Sequence, residues 1–261
     1  MADQTADAFG NAPLGVGAII SESFSILFKH LGKVMLLALV PTLFGIVVSG
    51  MLNGWGYALG VPDPNFNGIP SWQSIVLDLL IQMVVYALAT ALLVQLAYNS
   101  KLGRSMPISQ YFGPALSAAL PIAVLGTVVG VLSTVGTLFL VIPGLWIYAV
   151  YSMTSPAIMI ERVGYRGMGR SVELTRGYRW PIVGAVLIVW ICAALIGGGI
   201  GFVVSMVGSA VGGGLLVSLV LMSLAGAFGT GLGGISIALI YARLREIKEG
   251  VSVDQIASVF D

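Results

Sequence analysis

A single acidic residue, Asp78, lies within a long apolar stretch of this sequence, and polar residues follow it at intervals of four. Residues four apart share one face of an α-helix, so these side chains form a polar stripe. A carboxylate within a membrane usually faces other helices or a wet cavity. The stripe therefore predicts either a polar path for a transporter or channel, or hydrogen bonds that hold helices together. It consists of Asp78, Gln82, Tyr86 and Thr90, and the stripe expected to face it consists of Tyr148, Ser152 and Ser155.

Arginine is concentrated in one segment, which contains five of them between residues 162 and 179. Basic side chains at a cytoplasmic membrane surface attract anionic lipid headgroups, at about 1 kcal/mol each. The same arginines could instead set the orientation of the chain and solvate an interfacial helix, and this structural interpretation is favoured. The candidate headgroup contacts are Arg162, Arg166, Arg170, Arg176 and Arg179.

Glu161 lies at the predicted cytoplasmic end of an apolar stretch, where the helix dipole disfavours a carboxylate. An arginine partner would offset this cost, and Arg170 and Arg176 are the nearest candidates. Glu173 is three residues from both of these arginines, which is close enough to pair with either on a helix. We expect Glu161 to be a structural ion-pair residue.

Patterns typical of enzymes and metal sites are missing from the sequence. One histidine, His30, cannot form a paired-histidine metal site, and one cysteine, Cys192, cannot form an intrachain disulfide. The sequence contains no Gly-x-x-x-x-Gly-Lys phosphate loop and no pair of intramembrane aspartates. We therefore expect no catalytic activity, cofactor or metal. A net charge of +1 gives no reason to expect nucleic-acid binding.

The composition is that of a membrane protein. Only 9% of the residues are charged and 57% are hydrophobic, whereas soluble domains are about a quarter charged. A surface with so few charges must largely face lipid, and about 20 apolar residues are needed for each helix that crosses a bilayer. An alternative interpretation merges the third and fourth apolar stretches into one span and so predicts five spans. The predicted spans cover residues 34–52, 74–98, 115–135, 137–160, 181–207 and 215–242.

The distribution of basic residues predicts the orientation of the spans. All 12 Lys and Arg residues fall before span one, between spans two and three, between spans four and five, or after span six. Short cytoplasmic loops collect Lys and Arg. Six spans with both termini in the cytoplasm place every basic residue inside, whereas five spans would not. The sequence thus predicts a multi-pass membrane protein with both termini in the cytoplasm.

Each pair of spans follows a basic, partly amphipathic stretch, at residues 20–31, 106–115 and 167–180. Such stretches are typical of helices that lie in the membrane interface. We therefore predict an all-α integral membrane fold of six transmembrane helices arranged as three hairpins, each preceded by a cytoplasmic-side amphipathic helix. Residues 1–14 are predicted to be a disordered polar tail, 15–250 the membrane domain and 251–261 a short C-terminal segment.

Three segments near the junction of spans four and five carry a family resemblance. They are Ile142-Pro-Gly-Leu-Trp146, Ser155-Pro-Ala-Ile-Met-Ile-Glu161 and Gly169-Arg-Ser-Val-Glu-Leu-Thr-Arg-Gly177, with Trp180 after them. This pattern resembles the YciC-like bacterial membrane-domain family, whose domain also occurs fused to some glycerophosphodiester phosphodiesterases. The resemblance implies a membrane domain of the bacterial inner membrane without a defined activity. The catalytic domain of those fusions is not expected here, so phosphodiesterase activity is not implied.

The resemblance also implies that Glu161, Arg170, Ser171 and Thr175 form a structural cluster, to which helical spacing adds Glu173. Three functions remain open. The first is a non-catalytic protein that supports envelope or lipid organisation, with membrane lipids, especially anionic ones, as partners. The second is a small-molecule or ion transporter or channel that uses the polar stripe. The third is a membrane anchor for a soluble protein partner, and a homo-oligomer is also compatible with the sequence.

Overall fold

A computed structural model describes residues 12–59, 70–104, 106–211 and 215–250. Within these ranges the chain forms ten α-helices, one short 3-10 turn and no strand. The helices are α1 (Val16–Lys29), α2 (Leu31–Asn53), α3 (Trp55–Leu59), α4 (Trp72–Lys101), α5 (Ser109–Phe139), α6 (Val141–Tyr151), α7 (Thr154–Glu161), α8 (Gly167–Thr175), α9 (Arg179–Val211) and α10 (Leu215–Glu249).

Six helical segments of the described chain are long and apolar enough to cross a membrane. They are α2, α4, α5, α6 with α7, α9 and α10, so the prediction of six apolar helices and a multi-pass membrane protein is confirmed. The alternative with five spans is wrong. The backbone of Leu140 is extended between α5 and α6, with φ −161° and ψ 144°, and this separates the third span from the fourth.

The last helix, α10, is the centre of the bundle. It packs against α1, α2, α4 and α9, and Leu232, Ile235 and Ile240 along it are fully buried. Two glycines of α10 allow this close approach. A Cβ atom at Gly231 would lie 2.8 Å from Val34, and one at Gly234 would lie 2.8 Å from Leu93. Small residues at such contacts bring helix backbones close enough for extensive van der Waals packing within a membrane.

The N-terminal part of the described chain packs on the bundle. Leu14 is buried, and the carbonyl of Ala12 accepts a hydrogen bond of 2.8 Å from the Tyr178 hydroxyl. The end of the predicted tail therefore contacts the protein. Residues 1–11 of the predicted tail and the predicted C-terminal segment 251–261 lie outside the described residues.

The three predicted amphipathic stretches have different structures. The first corresponds to α1, whose buried residues Ile19, Ile26 and Leu27 belong to the protein core, and α1 packs against α9 and α10. The second does not form a helix of its own, because α5 begins at Ser109 and continues without interruption to Phe139. The third ends as α8 at Thr175, before a turn with Gly177 at φ 87°.

The fourth span is broken between α6 and α7. Pro156 has no N–H to donate to the carbonyl of Ser152, which weakens the helix at this point. Ser171 of α8 closes the break: its hydroxyl accepts from the Met153 N–H at 3.1 Å and donates to the Val150 carbonyl at 2.7 Å. Thr175 donates to the same carbonyl at 3.2 Å. Both side chains are fully buried, so α8 supplies polar partners that water does not reach.

Replacing the Ser171 hydroxyl should destabilise the protein. In Ser171→Ala the buried Met153 N–H loses its partner, and we expect unfolding of the detergent-solubilised protein to require about 1–3 kcal/mol less free energy. Thermal unfolding and denaturant titration measure this change. Ser117 is a matched control, because its hydroxyl is exposed and bonds only to the Pro114 carbonyl. Equal stability of Ser171→Ala and Ser117→Ala would show that α8 does not close the break.

Candidate functional site

The largest cavity among those described in this structure is a groove between α4 and α5, which α7 closes at one end. We call it the α4–α5 groove; its volume is about 500 Å³. Leu79, Tyr86 and Val131 line it and are all exposed at the surface of the bundle, Tyr86 by 58%, so the groove opens sideways toward lipid. Its full lining is Leu79, Gln82, Met83, Tyr86, Ala87, Ile122, Ala123, Gly126, Thr127, Gly130, Val131, Thr134, Val135 and Ser155.

The groove exists because α5 has glycines along this face. Gly126 and Gly130 are one turn apart and both line the groove, and a Cβ atom at either position would meet no other atom within 4 Å. The few hydroxyls in the groove are partly engaged. Thr127, for example, donates to the Ala123 carbonyl at 2.7 Å. The result is a predominantly apolar space with sparse polar groups, which is typical of a site for a hydrophobic ligand.

A second cavity, of about 290 Å³, lies among α4, α6, α9 and α10. Tyr86 lines both this cavity and the α4–α5 groove, while Thr90 and Tyr148 line the second cavity. The ring of Tyr148 packs on Trp190, with 5.2 Å between the ring centroids. Tyr86 is thus the residue that the two cavities share.

The polar stripe does not form one open path. The Asp78 carboxylate is only 6% exposed and accepts hydrogen bonds from Ser49 at 2.9 Å and Gln82 at 3.3 Å. Gln82 also donates to the Gly45 carbonyl at 2.8 Å. A side chain at residue 45 would clash, because its Cβ atom would lie 2.6 Å from the Gln82 Oε1 atom. The Asp78 end of the stripe therefore joins α4 to α2, as the alternative of interhelical hydrogen bonds predicts.

The facing stripe is also divided. Tyr148 lines the second cavity and Ser155 lines the α4–α5 groove. Ser152 lines neither cavity; it is buried and donates to the Ala149 carbonyl at 2.9 Å. Tyr86 and Thr90 are thus the two residues of the predicted path on α4 that lie at the second cavity.

The predicted structural cluster separates into two groups. Ser171 and Thr175 close the break in the fourth span, whereas Glu161 and Arg170 form a charged group. Two nitrogens of Arg170 donate to the two oxygens of Glu161, at 2.8 and 2.9 Å. These hydrogen bonds hold the pKa of Arg170 above its ordinary value. Glu173 lies at the edge of the group, with its side chain 74% exposed and 3.7 Å from Arg170.

Three residues of α10 complete this charged group. The Tyr241 hydroxyl donates to Glu161, and Arg245 lies 3.5 Å from the same carboxylate. Glu249 pairs with Arg170 and, at 2.8 Å, with Arg245. The group therefore joins the ends of α7, α8 and α10. No sequence motif indicated the α10 residues, since they lie some 80 positions from Glu161 along the chain.

The five arginines have distinct environments. Arg170 is neutralised by carboxylates, and Arg179 stacks on Trp146 with its guanidinium carbon 4.6 Å from the ring centroid. Arg162, Arg166 and Arg176 are exposed, and none has a carboxylate partner within the described part of the chain.

Arg162 lies beyond one end of the α4–α5 groove, toward the end of α7. It lies in a shallow cavity of about 130 Å³ formed by α5 and α7, together with Pro121 and Ile158. These two residues are next to, or less than one turn from, Ile122 and Ser155 in the groove. Arg162 also has φ 55°, which is rare for a residue with a side chain.

Comparison of the chain with protein-family models, curated proteins and solved structures finds no match. The YciC-like resemblance of residues 142–180 therefore stays a prediction.

Replacing Glu161 should leave Arg170 and Arg245 with only one of the two carboxylates that they share, that of Glu249. In Glu161→Gln the charges of Arg170 and Arg245 lose the counter-charge of Glu161, and we expect a loss of about 2 kcal/mol in the free energy of unfolding. Denaturant titration in detergent measures it. Glu173→Gln removes the same charge from an exposed position and should change stability little. A loss of the same size in both variants would contradict a structural role for the Glu161 group.

Proposed function

We propose that this chain is a non-catalytic, multi-pass protein of the bacterial inner membrane that binds anionic phospholipid. In this proposal an acyl chain occupies the α4–α5 groove and the headgroup lies at Arg162. The observation that carries the proposal is the groove itself: a sideways-opening, largely apolar space of about 500 Å³ whose end adjoins an arginine without a carboxylate partner within the described chain.

The groove has the character of an acyl-chain site. Ligand pockets typically enclose about 300–1,000 Å³ and are lined mainly by apolar side chains, as this groove is. Its exposed walls, such as Leu79 and Val131, are continuous with the surface that faces lipid. A ligand could therefore enter from the bilayer without crossing water. Burying acyl methylenes in the groove replaces contacts with mobile lipid by contacts with packed side chains.

A path for ions or sugars is less well supported. Such a path needs a continuous row of polar groups or water, whereas Asp78 and Gln82 are bonded to α2, and Gln82 is one of few polar side chains among the apolar walls of the groove. The remaining polar groups of the stripe, Tyr86 and Thr90, lie among apolar walls. The geometry therefore favours lipid binding over the transporter or channel alternative.

Arg162 suits the headgroup for electrostatic reasons. Arg162 is exposed and, with the polar Ser117, lines the cavity that adjoins the groove. A guanidinium matches two oxygens of a phosphate at once, and a net anionic headgroup is attracted further by the basic membrane surface. Arg170 could not bind the headgroup in this way, because its guanidinium already pairs with Glu161 and Glu249.

The proposed orientation follows from the basic residues. Both termini lie in the cytoplasm, and Arg162 lies at the inner leaflet, where anionic lipids carry the negative surface potential. The spans form three hairpins that begin from cytoplasmic basic segments. Close packing of consecutive spans, α2 with α4, α5 with α6 and α9 with α10, supports this arrangement.

Filling the groove tests the proposal. In Gly130→Leu the carbons of the new side chain should displace acyl carbons from the groove and remove their packing contacts, so affinity should fall about tenfold. We expect phospholipid bound per purified chain, measured by mass spectrometry after extensive detergent washing, to fall accordingly. Gly113→Leu is the matched control on the same helix, because residue 113 is also exposed, has open space and lies outside the groove.

The placement of the headgroup at Arg162 is tested by a separate variant. Arg162→Gln should leave the total bound phospholipid largely unchanged but reduce its anionic fraction. Equal lipid content in Gly130→Leu and Gly113→Leu would overturn acyl binding in the groove. An unchanged anionic fraction in Arg162→Gln would overturn the placement of the headgroup.

A further inference from the structure

Three basic side chains converge near the start of α9, away from the α4–α5 groove. Arg176 lies in the turn before α9, Arg179 is its first residue, and Lys248 is in the last turn of α10. The ammonium of Lys248 donates a hydrogen bond of 2.7 Å to the carbonyl of Glu173, three residues before Arg176, so Lys248 lies at this turn, where the charges of both arginines act on it. These residues come from parts of the chain that are some 70 positions apart, so the tertiary fold brings the charges together.

The acidic residues nearby do not neutralise the cluster. The carboxylate of Glu173 lies 3.7 Å from Arg170 and attracts Lys248 only from beyond ion-pair distance, while the carbonyl of Glu173 accepts a hydrogen bond of 2.7 Å from Lys248. Glu249 follows Lys248 directly but pairs with Arg170 and Arg245. Among the described residues, no carboxylate forms an ion pair with Arg176, Arg179 or Lys248. The cluster thus retains an excess of positive charge.

Arg179 has a donor without a partner. Its Nε atom is shielded from solvent and has no hydrogen-bond acceptor within the described structure. The guanidinium is held in place by the ring of Trp146, 4.6 Å below it. Packing on an aromatic ring fixes the plane of a guanidinium and leaves its edge for an acceptor. A buried donor without a protein partner calls for an acceptor from outside the chain, and the positive charges around it favour an anion.

We infer that Arg176, Arg179 and Lys248 form a binding site for a phosphate group. A phosphate offers several strong acceptor oxygens, which suit two guanidinium groups and one ammonium at the same time. The amino end of α9 adds the positive end of a long helix dipole beside Arg179. The phosphate belongs either to a lipid headgroup, beside the exposed Trp180, or to a soluble phosphate compound. The site goes beyond the proposed function, because it shares no residue with the groove or with Arg162.

Binding of two probes to the full-length chain in neutral detergent tests this site. The probes are inorganic phosphate, with chloride of equal ionic strength as reference, and phosphatidylglycerol in mixed micelles, with phosphatidylcholine as reference. We expect Lys248→Gln to weaken binding of the active probe about tenfold, since it removes a charge-assisted hydrogen bond. Lys248→Arg should restore it. Lys29→Gln is the matched control, an exposed lysine at the end of α1.

A second variant protects the test against effects on folding. Arg179→Gln should weaken binding at least as much as Lys248→Gln. The comparison uses only variants that unfold at the same temperature as the unaltered chain. The phosphatidylglycerol titration is repeated in the Gly130→Leu chain, in which the groove is filled. If Lys248→Gln still weakens phosphatidylglycerol binding when the groove is filled, the loss belongs to this site and not to the groove. The outcome therefore does not depend on the proposed function.

The two probes distinguish the source of the phosphate. If the chain binds phosphatidylglycerol but not inorganic phosphate, the phosphate group at this site belongs to a lipid headgroup. If the chain binds inorganic phosphate, the phosphate group belongs to a soluble compound. The inference is overturned if neither probe binds more tightly than its reference. It is also overturned if Lys248→Gln and Lys29→Gln weaken binding equally, because the effect would then reflect net charge alone.

Discussion

Within a bilayer, a backbone N–H or C=O that lacks a partner cannot turn to water, so the protein must supply that partner itself. This constraint is most evident at the break in the fourth span, between Tyr151 and Thr154. Ser171 and Thr175 meet it with two buried hydroxyls. The position of α8 against the fourth span follows from these bonds. The ion pairs of Arg170 and the placement of Arg176 and Arg179 depend in turn on that position.

Once α8 is held there, its charged residues have defined partners. Arg170 lies on Glu161 at the end of α7 and on Glu249 at the end of α10, which joins the broken span to the central helix. The turn after α8 then places Arg176 and Arg179 near Lys248. One short helix therefore separates Arg170, which pairs with carboxylates, from Arg176 and Arg179, which form no ion pair among the described residues. The break also positions α7, which closes the end of the α4–α5 groove.

Several elements could be predicted from the sequence because their causes are local. Apolar stretches predicted the six helices. The second amphipathic stretch could not be interpreted correctly in the same way. Its pattern is compatible with an interfacial helix, yet the residues from Ser109 onward continue directly into the third span. Periodicity alone does not report where a continuous helix begins.

What the sequence determined by itself was the class of the protein and its apolar helices, because hydropathy and span length are properties of contiguous residues. Only the tertiary structure decided which polar groups meet. It divided the stripe that begins at Asp78, bonding one end to α2 and leaving Tyr86 at the groove. It also brought Tyr241, Arg245 and Glu249 to Glu161. The physical reason is that such pairing depends on the packing of helices far apart in the chain, which spacing along one helix does not specify.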